Sequence, residues 1–143
     1  MTAARILDDK GATVFTVRPT QSLQEAAAAL TQYKVGAVIV TGADQEPVGV
    51  FSERDLARAV AQSGASALIE PVSSVMSTGL ITASPSDTVD TLLSLMTEKR
   101  VRHIIIMKGS DMQGVVSIGD VVKRKIAQTE AEAESLKAYI EGA

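Results

Sequence analysis

An internal repeat is the feature that most constrains how this 143-residue chain can fold. The stretch 14-VFTVRPTQSLQEAA-27 aligns without a gap with 80-LITASPSDTVDTLL-93, and a proline falls on a proline. Further along, 49-GVFSERD-55 aligns with 114-GVVSIGD-120, after a loop that is one residue shorter in the second copy. One copy buries too little apolar surface to be stable alone, so the repeat predicts two similar halves that pack together.

Each copy is predicted to contain the same elements in the same order. An extended segment ends at Pro19 or Pro85, because the residue before a proline favours extended conformations. A helix with apolar residues at helical spacing follows, and Ser22 with Glu25 forms a capping box at its start in the first copy. Two short apolar strands and a second helix complete each copy. The predicted fold class is α+β, with two pseudo-symmetric β-α-β-β-α repeats and a C-terminal helix.

The segments outside the repeats are predicted to be helical. The segment 2-TAARIL-7 resembles 71-PVSSVM-76, so each is expected to form a short helix that leads into its copy. We therefore predict a first repeat with its lead-in helix at 1–70, a second repeat at 71–127 and a helical tail at 128–143.

The tail has small or apolar residues at alternating steps of four and three, which keep one seam on a helix. These seam residues are Val122, Ile126, Thr129, Ala133, Leu136 and Ile140. Two interpretations stay open: the helix lies back on its own domain, or it pairs with its twin in a dimer.

Composition and charge argue against several classes of function. The chain has no cysteine and one histidine, so we expect neither a disulfide nor a metal site. No apolar run is long enough to span a membrane, and the first residues do not resemble a secretory signal, so we expect a cytoplasmic protein. A net charge of −3 argues against nucleic acid as a partner. No catalytic constellation or phosphate-binding loop is present, so we do not expect an enzyme.

The repeated motif GVFSERD/GVVSIGD allows two interpretations. A Ser followed by Asp three residues later is typical of a helix N-cap, in which the Ser oxygen accepts a backbone N–H. Capping does not require the Gly that precedes the Ser in both copies; a missing side chain suits close approach of another group to the backbone. A helix N-terminus also favours an anion such as phosphate, and the Asp carboxylate can accept both hydroxyls of a ribose. The motif is therefore predicted to be both a cap and half of a binding site.

With its doubled G-h-h-S-x-x-D motif (h is apolar), the chain resembles a tandem pair of CBS domains, the cystathionine-β-synthase modules also called a Bateman module. The resemblance covers residues 1–127 and includes the 101-VRHIII-106 strand and the 72-VSSVM-76 lead-in. It implies two pseudo-symmetric halves packed sheet to sheet, two clefts between them, and frequent pairing into a homodimer. It also implies regulatory sensing of adenosine compounds such as AMP, ADP, ATP or NAD.

The resemblance further implies roles for individual residues. Ser52 and Asp55, and likewise Ser117 and Asp120, would hold phosphate and ribose. Each cleft would borrow its base-binding lining from the other copy. The expected lining is Val14, Phe15, Thr16, Val35, Gly36 and Ala37 for Asp120, and Leu80, Ile81, Thr82, Val101, Arg102 and His103 for Asp55.

The family's basic pair near the phosphates is matched by Arg102 and His103 in the second copy, where the first copy has Gly36 and Ala37. Arg54 is a further candidate phosphate contact, or simply an exposed helix arginine. His103 is either a packed residue beside a strand or a phosphate contact. Because of these differences, the two clefts are expected to be unequal.

The function predicted from the sequence is that of a regulatory module that binds an adenine nucleotide. Because no effector domain is recognisable, the signal would pass through an unknown effector protein or through oligomeric state. The alternative is a structural dimerisation module that binds no nucleotide.

Overall fold

The computed structural model describes residues 1–142 and divides into two compact units. The first-repeat unit is Thr13–Leu80. The second-repeat unit consists of Met1–Ala12 and the chain from Ile81 onward. Each unit has one three-stranded sheet with helices packed on it, so the predicted α+β class is confirmed.

Five helices and six strands follow one another along the described residues. In chain order they are α1 (Ala3–Lys10), β1 (Thr16–Val17), α2 (Leu23–Tyr33), β2 (Ala37–Thr41), β3 (Pro47–Ser52), α3 (Glu53–Ser63), β4 (Thr82–Ala83), α4 (Val89–Lys99), β5 (His103–Lys108), β6 (Asp111–Ser117) and α5 (Ile118–Gly142). Two short 3-10 helices, Gly64–Ile69 and Val72–Ser74, lie between α3 and β4. None of the helices within residues 1–142 combines the length and apolar character needed to cross a bilayer.

The sheet of the first-repeat unit has the strand order β1-β2-β3. β1 runs parallel to β2, and β2 runs antiparallel to β3, with Ala37 opposite Ser52. Three successive β2 residues from Val38 to Val40 are buried, which explains why this strand reads as a continuous apolar run rather than as an alternating pattern. Helix α2 starts with the predicted capping box between Ser22 and Glu25.

The second-repeat unit repeats this arrangement with the order β4-β5-β6. β4 is parallel to β5 and β5 is antiparallel to β6, so His103 lies opposite Ser117 just as Ala37 lies opposite Ser52. The buried residues Ile104, Ile105 and Ile106 correspond to the three in β2. The two copies therefore place their Ser–Asp motifs at equivalent points of two equivalent small sheets.

Each lead-in segment packs on the unit formed by the other copy. The backbone of α1 joins the start of α4, since Ala3 N–H donates to the Asp87 carbonyl at 2.8 Å and Val89 N–H donates to the Met1 carbonyl at 3.1 Å. The segment after α3 joins the start of α2, with Val72 N–H donating to the Gln21 carbonyl at 2.8 Å. In the structure, each lead-in therefore belongs to the unit of the other copy. The predicted segments 1–70 and 71–127 describe the repeat along the sequence and stay a prediction.

The C-terminal helix is continuous from Ile118 to Gly142, so the tail extends the last helix of the second repeat. Val121 is fully buried near its start, whereas every residue in 129–142 is exposed. One interpretation of the seam is that the helix packs back on its own domain. In the structure, residues 129–142 do not pack on the domain.

Candidate nucleotide site at the Ser–Asp motifs

Each Ser–Asp motif lies where the last strand of a small sheet turns into a helix. Ser52 ends β3 and caps α3, and Ser117 ends β6 immediately before α5. The Asp55 N–H donates to the Ser52 Oγ at 3.3 Å, and the Asp120 N–H donates to the Ser117 Oγ at 3.1 Å. The motif is therefore a helix cap in both copies, as its spacing predicts.

In the first-repeat unit, the Asp55 carboxylate is held from several sides. Its Oδ2 accepts the Ser52 N–H at 2.9 Å and the Ser52 hydroxyl at 3.0 Å, which completes a capping box. Its Oδ1 accepts the Ser77 hydroxyl at 3.4 Å and forms an ion pair with Arg58 at 3.5 Å. The side chain is only 5% exposed, so this carboxylate is buried with protein donors on both oxygens.

In the second-repeat unit, the partners of the carboxylate differ. Asp120 Oδ2 accepts the Ser117 N–H at 2.9 Å and the Lys10 ammonium at 2.7 Å, and Lys10 also donates to the Val115 carbonyl at 2.9 Å. The Asp120 side chain is 24% exposed. This carboxylate is thus more accessible than that of Asp55, and its charge is balanced by a lysine from α1.

Two opposing effects act on the pKa of Asp120. Burial, the largest single effect, raises the pKa because it disfavours the charged carboxylate. The hydrogen bonds from Lys10 and from the Ser117 amide, together with the charge of Lys10, outweigh burial and lower the pKa below its ordinary value of 3.8. Asp120 is therefore an anion at neutral pH and an acceptor of hydrogen bonds.

The glycine that opens each motif lies beneath a lead-in side chain. A Cβ added to Gly114 would come within 2.7 Å of Leu7 Cδ2, and one added to Gly49 would come within 2.8 Å of Met76 Cγ. The predicted close approach to the backbone is therefore present, and the approaching group is an apolar side chain of the protein. Leu7 and Met76 occupy matching places in the two lead-in segments, so that similarity was the signal for a shared packing role.

The start of the central strand in each unit is joined to its motif. Glu53 N–H donates to the Gly36 carbonyl at 3.0 Å, and Ile118 N–H donates to the Arg102 carbonyl at 2.8 Å. These bonds place the predicted basic pair, Arg102 and His103, directly beside Ser117 in the second-repeat unit. Gly36 and Ala37 occupy the matching positions in the first-repeat unit, so that motif lacks an adjacent basic pair on its strand.

The other predicted site residues lie on extended segments and strands, except Arg54, which lies on α3. Thr16 and Thr82 are exposed at the start of the parallel strands β1 and β4. Phe15 stacks on Tyr33 with ring centroids 4.1 Å apart. Val14, Val35, Leu80, Ile81 and Val101 are half-buried, and Arg54 is exposed at the start of α3. Which motif each lining segment serves stays a prediction.

Sequence reasoning missed the residues that hold the two carboxylates from outside the motif. They are Lys10 for Asp120, and Ser77 and Arg58 for Asp55. Lys10 and Ser77 follow the two lead-in segments, and no pattern inside the motif points to them. Among residues 1–142, no group of three acidic, histidine or cysteine side chains could hold a metal ion.

Comparison with known proteins supports the internal repeat. A family model of the CBS domain matches residues 12–62 and again residues 72–126. The CBS-domain containing protein ATU1752 from Agrobacterium tumefaciens, whose crystal structure is known, is 42% identical, with a TM-score of 0.83 over 87% of this chain and 92% of that one.

Two further relatives are informative. The CBS domain-containing protein CBSX3, mitochondrial, of Arabidopsis thaliana is 37% identical over 85% of this chain, which spans 61% of that relative's length. The CBS domain protein PAE2072 from Pyrobaculum aerophilum, solved in complex with AMP, is 29% identical, with a TM-score of 0.74 over 84% of this chain and 89% of that one.

Proposed function

Because this chain belongs to the CBS-domain family and carries the domain in two tandem copies, we propose that it is a regulatory module that binds an adenine nucleotide at its Ser–Asp motifs. The observation that carries the proposal is the pair of capped helix starts, each with an Asp carboxylate one turn in and a serine beside it. The AMP complex of a relative supports an adenosine ligand.

The chemistry of the second motif suits a ribose and its phosphate. Asp120 is ionised, and its Oδ2 already accepts the Ser117 N–H and the Lys10 ammonium. The other oxygen, Oδ1, can accept a ribose hydroxyl, and exchange of Lys10 for a second hydroxyl would engage the diol. The resemblance assigns Arg102 and His103 to Asp55, but their place beside Ser117 favours a role at Asp120 in this proposal. Phosphate oxygens would be attracted to these two residues and to the first amides of α5, because a helix start carries partial positive charge.

The first motif offers a weaker site in this proposal. Both oxygens of Asp55 already have protein donors, and the side chain is almost completely buried. A ribose would have to displace Ser77 or Arg58, and only Arg54 supplies nearby positive charge from the motif itself. We therefore expect the two motifs to differ in affinity, with the stronger site at Asp120.

The output of binding would pass to an effector protein or into the oligomeric state of a homodimer, by a shift between conformations that bind the nucleotide unequally. The proposal describes a sensor in the cytoplasm rather than an enzyme, and it requires no metal.

Isothermal titration calorimetry with AMP, ADP, ATP and NAD tests the proposal. Wild-type protein should bind at least one of them, and Asp120→Asn should remove the stronger site while Asp55→Asn leaves it intact. Asp90→Asn is a control, because Asp90 is an exposed acidic residue on α4, outside both motifs. Absence of binding to all four compounds would refute the nucleotide-binding function.

A structural module without nucleotide is the second candidate, and the protein donors on both Asp55 oxygens favour it. Thermal melting separates the two, since a ligand that binds only the folded state must raise the midpoint. A midpoint that no adenosine compound moves would support the structural module.

A further inference from the structure

Helix α5 carries an apolar seam over residues 122–140 whose large side chains are exposed to solvent in the described chain. Ile126 is 54% exposed, Leu136 is 61% exposed and Ile140 is 65% exposed. Large apolar side chains in one stripe of a helix are normally covered by a partner surface. The seam therefore identifies an interaction surface, and its charged borders indicate which partner fits.

Heptad positions follow from the alternating steps along the seam. Ile126, Ala133 and Ile140 occupy the a positions, and Val122, Thr129 and Leu136 occupy the d positions. Isoleucine at a positions with leucine at d positions favours a parallel coiled coil of two helices. The pattern covers only about two and a half heptads, so pairing would be weak and reversible.

The charges beside the seam select parallel pairing. In a parallel coiled coil, each g residue faces the e residue of the next heptad in the partner. Lys125 at g then faces Glu130 of the partner subunit, and Glu132 at g faces Lys137 of the partner subunit. Both pairs have opposite charges, and the two-fold symmetry of a homodimer forms each pair twice.

An antiparallel arrangement with full overlap would bring like charges together. The e residues would pair Lys123 with Lys137 and Glu130 with its own copy. The g residues would pair Glu132 with its own copy. Like charges at facing positions are destabilising, so one orientation is favoured over the other.

From the exposed seam and its complementary e and g charges, we propose that α5 pairs with α5 of a second copy of this chain as a parallel, in-register coiled coil over residues 122–140. Lys125 already bonds Asp90 of its own chain at 2.9 Å, so it contributes less than the pair of Glu132 and Lys137. The pairing does not depend on the nucleotide site, and its test is independent of nucleotide binding.

Sedimentation velocity of the full chain over a concentration series tests the existence of the dimer. Wild type should dimerise reversibly. Leu136→Asp, on the seam, should weaken the dimer on the order of 100-fold or more, because it would bury a charge. Ala138→Asp, at an outward f position of the same helix, should leave the dimer unchanged. A monomeric wild type, or a dimer that survives Leu136→Asp, overturns the proposal.

Disulfide crosslinking tests the orientation, because the chain has no cysteine of its own. Thr129→Cys places a thiol at d, where parallel in-register helices bring the two copies face to face. Ala131→Cys places it at f, facing away. In a glutathione buffer the first variant should crosslink and the second should not. Equal crosslinking of both, or none of Thr129→Cys in a dimeric protein, overturns parallel pairing.

Charge reversal tests whether the e and g charges stabilise the parallel pairing. Glu132→Lys should weaken the dimer roughly threefold to tenfold, and adding Lys137→Glu should restore it, because the g and e charges are then opposite again. In each variant, circular dichroism checks that the helix is retained. Failure of the double variant to regain affinity overturns the assigned g–e contact.

Discussion

At the scale of single residues, Asp55 and Asp120 occupy the same place in the repeat but have different donors. Asp55 is buried with a serine and an arginine, whereas Asp120 is partly exposed with a lysine from α1. A partly exposed carboxylate paired with a lysine can exchange that partner for a ligand hydroxyl more readily than a buried carboxylate whose two oxygens both have protein donors. The difference between the two carboxylates therefore comes from donors that lie outside the Ser–Asp motifs themselves.

Replacing Lys10 should change the titration of Asp120. In Lys10→Met the pKa of Asp120 should rise, because the lysine lowers it through a hydrogen bond and through its charge. Carbon-detected NMR titration of the Asp120 carboxyl measures this directly. Lys10→Arg should keep the pKa low, and an unchanged pKa in Lys10→Met would contradict the assigned contact.

The same contact gives stability a pH dependence with a defined sign. A carboxylate whose pKa is lower in the folded state stabilises that state above the unfolded pKa, and this contribution is lost as pH falls through the folded value. Acidification below the ordinary value of 3.8 should therefore destabilise wild type through Asp120, and Lys10→Met should lose most of this contribution.

Gly114 should not tolerate a side chain as long as Leu7 lies above it. Gly114→Ala places a methyl within 2.7 Å of the Leu7 side chain, so we expect a loss of about 1–3 kcal/mol in the free energy of unfolding. The loss should shrink in a Leu7→Ala background. Gly119→Ala is a matched control, since its Cβ would meet only Ser117 Oγ at 3.7 Å and alanine favours a helix. Urea unfolding compares the variants; equal effects at Gly114 and Gly119 would contradict the packing argument.

At the scale of elements, the helices and strands followed the patterns in the sequence. The capping box at Ser22 and the buried runs of β2 and β5 appear where the residues indicate them. Local patterns suffice here because caps and periodicity depend on residues that are close in the chain. The packing of the lead-in segments could not be predicted in this way, because their partners lie far along the chain and no local pattern specifies them.

Because each lead-in packs on the unit of the other copy, a matched pair of variants should destabilise different units. Ile6 and Val72 are both fully buried, Ile6 with Leu92 and Ile104, and Val72 with Leu23 and Phe51. Ile6→Ala should cost about 2–5 kcal/mol and speed hydrogen exchange in β5. Val72→Ala should speed exchange in β2 instead. Faster exchange in β2 for Ile6→Ala would contradict the assignment of α1 to the second-repeat unit.

At the scale of the whole molecule, the chain passes between its two units twice. It begins in the second-repeat unit, enters the first-repeat unit at Thr13 and returns at Ile81. Each unit is therefore completed by a segment that precedes the other copy in the sequence. A change in one lead-in can reach the motif of the other copy, since Lys10 contacts Asp120 and Ser77 contacts Asp55.

The sequence by itself determined the repeat, the element order and the capped Ser–Asp motifs, because each depends on residues that are neighbours in the chain. It also pointed to the seam of α5, through steps of three and four residues. Only the tertiary structure decided that Leu7 and Met76 cover the motif glycines, that Lys10 holds Asp120, and that the seam is uncovered in 129–142. The physical reason is distance along the chain: Lys10 and Asp120 meet only after the sheet and α1 have packed, and no local propensity records that contact.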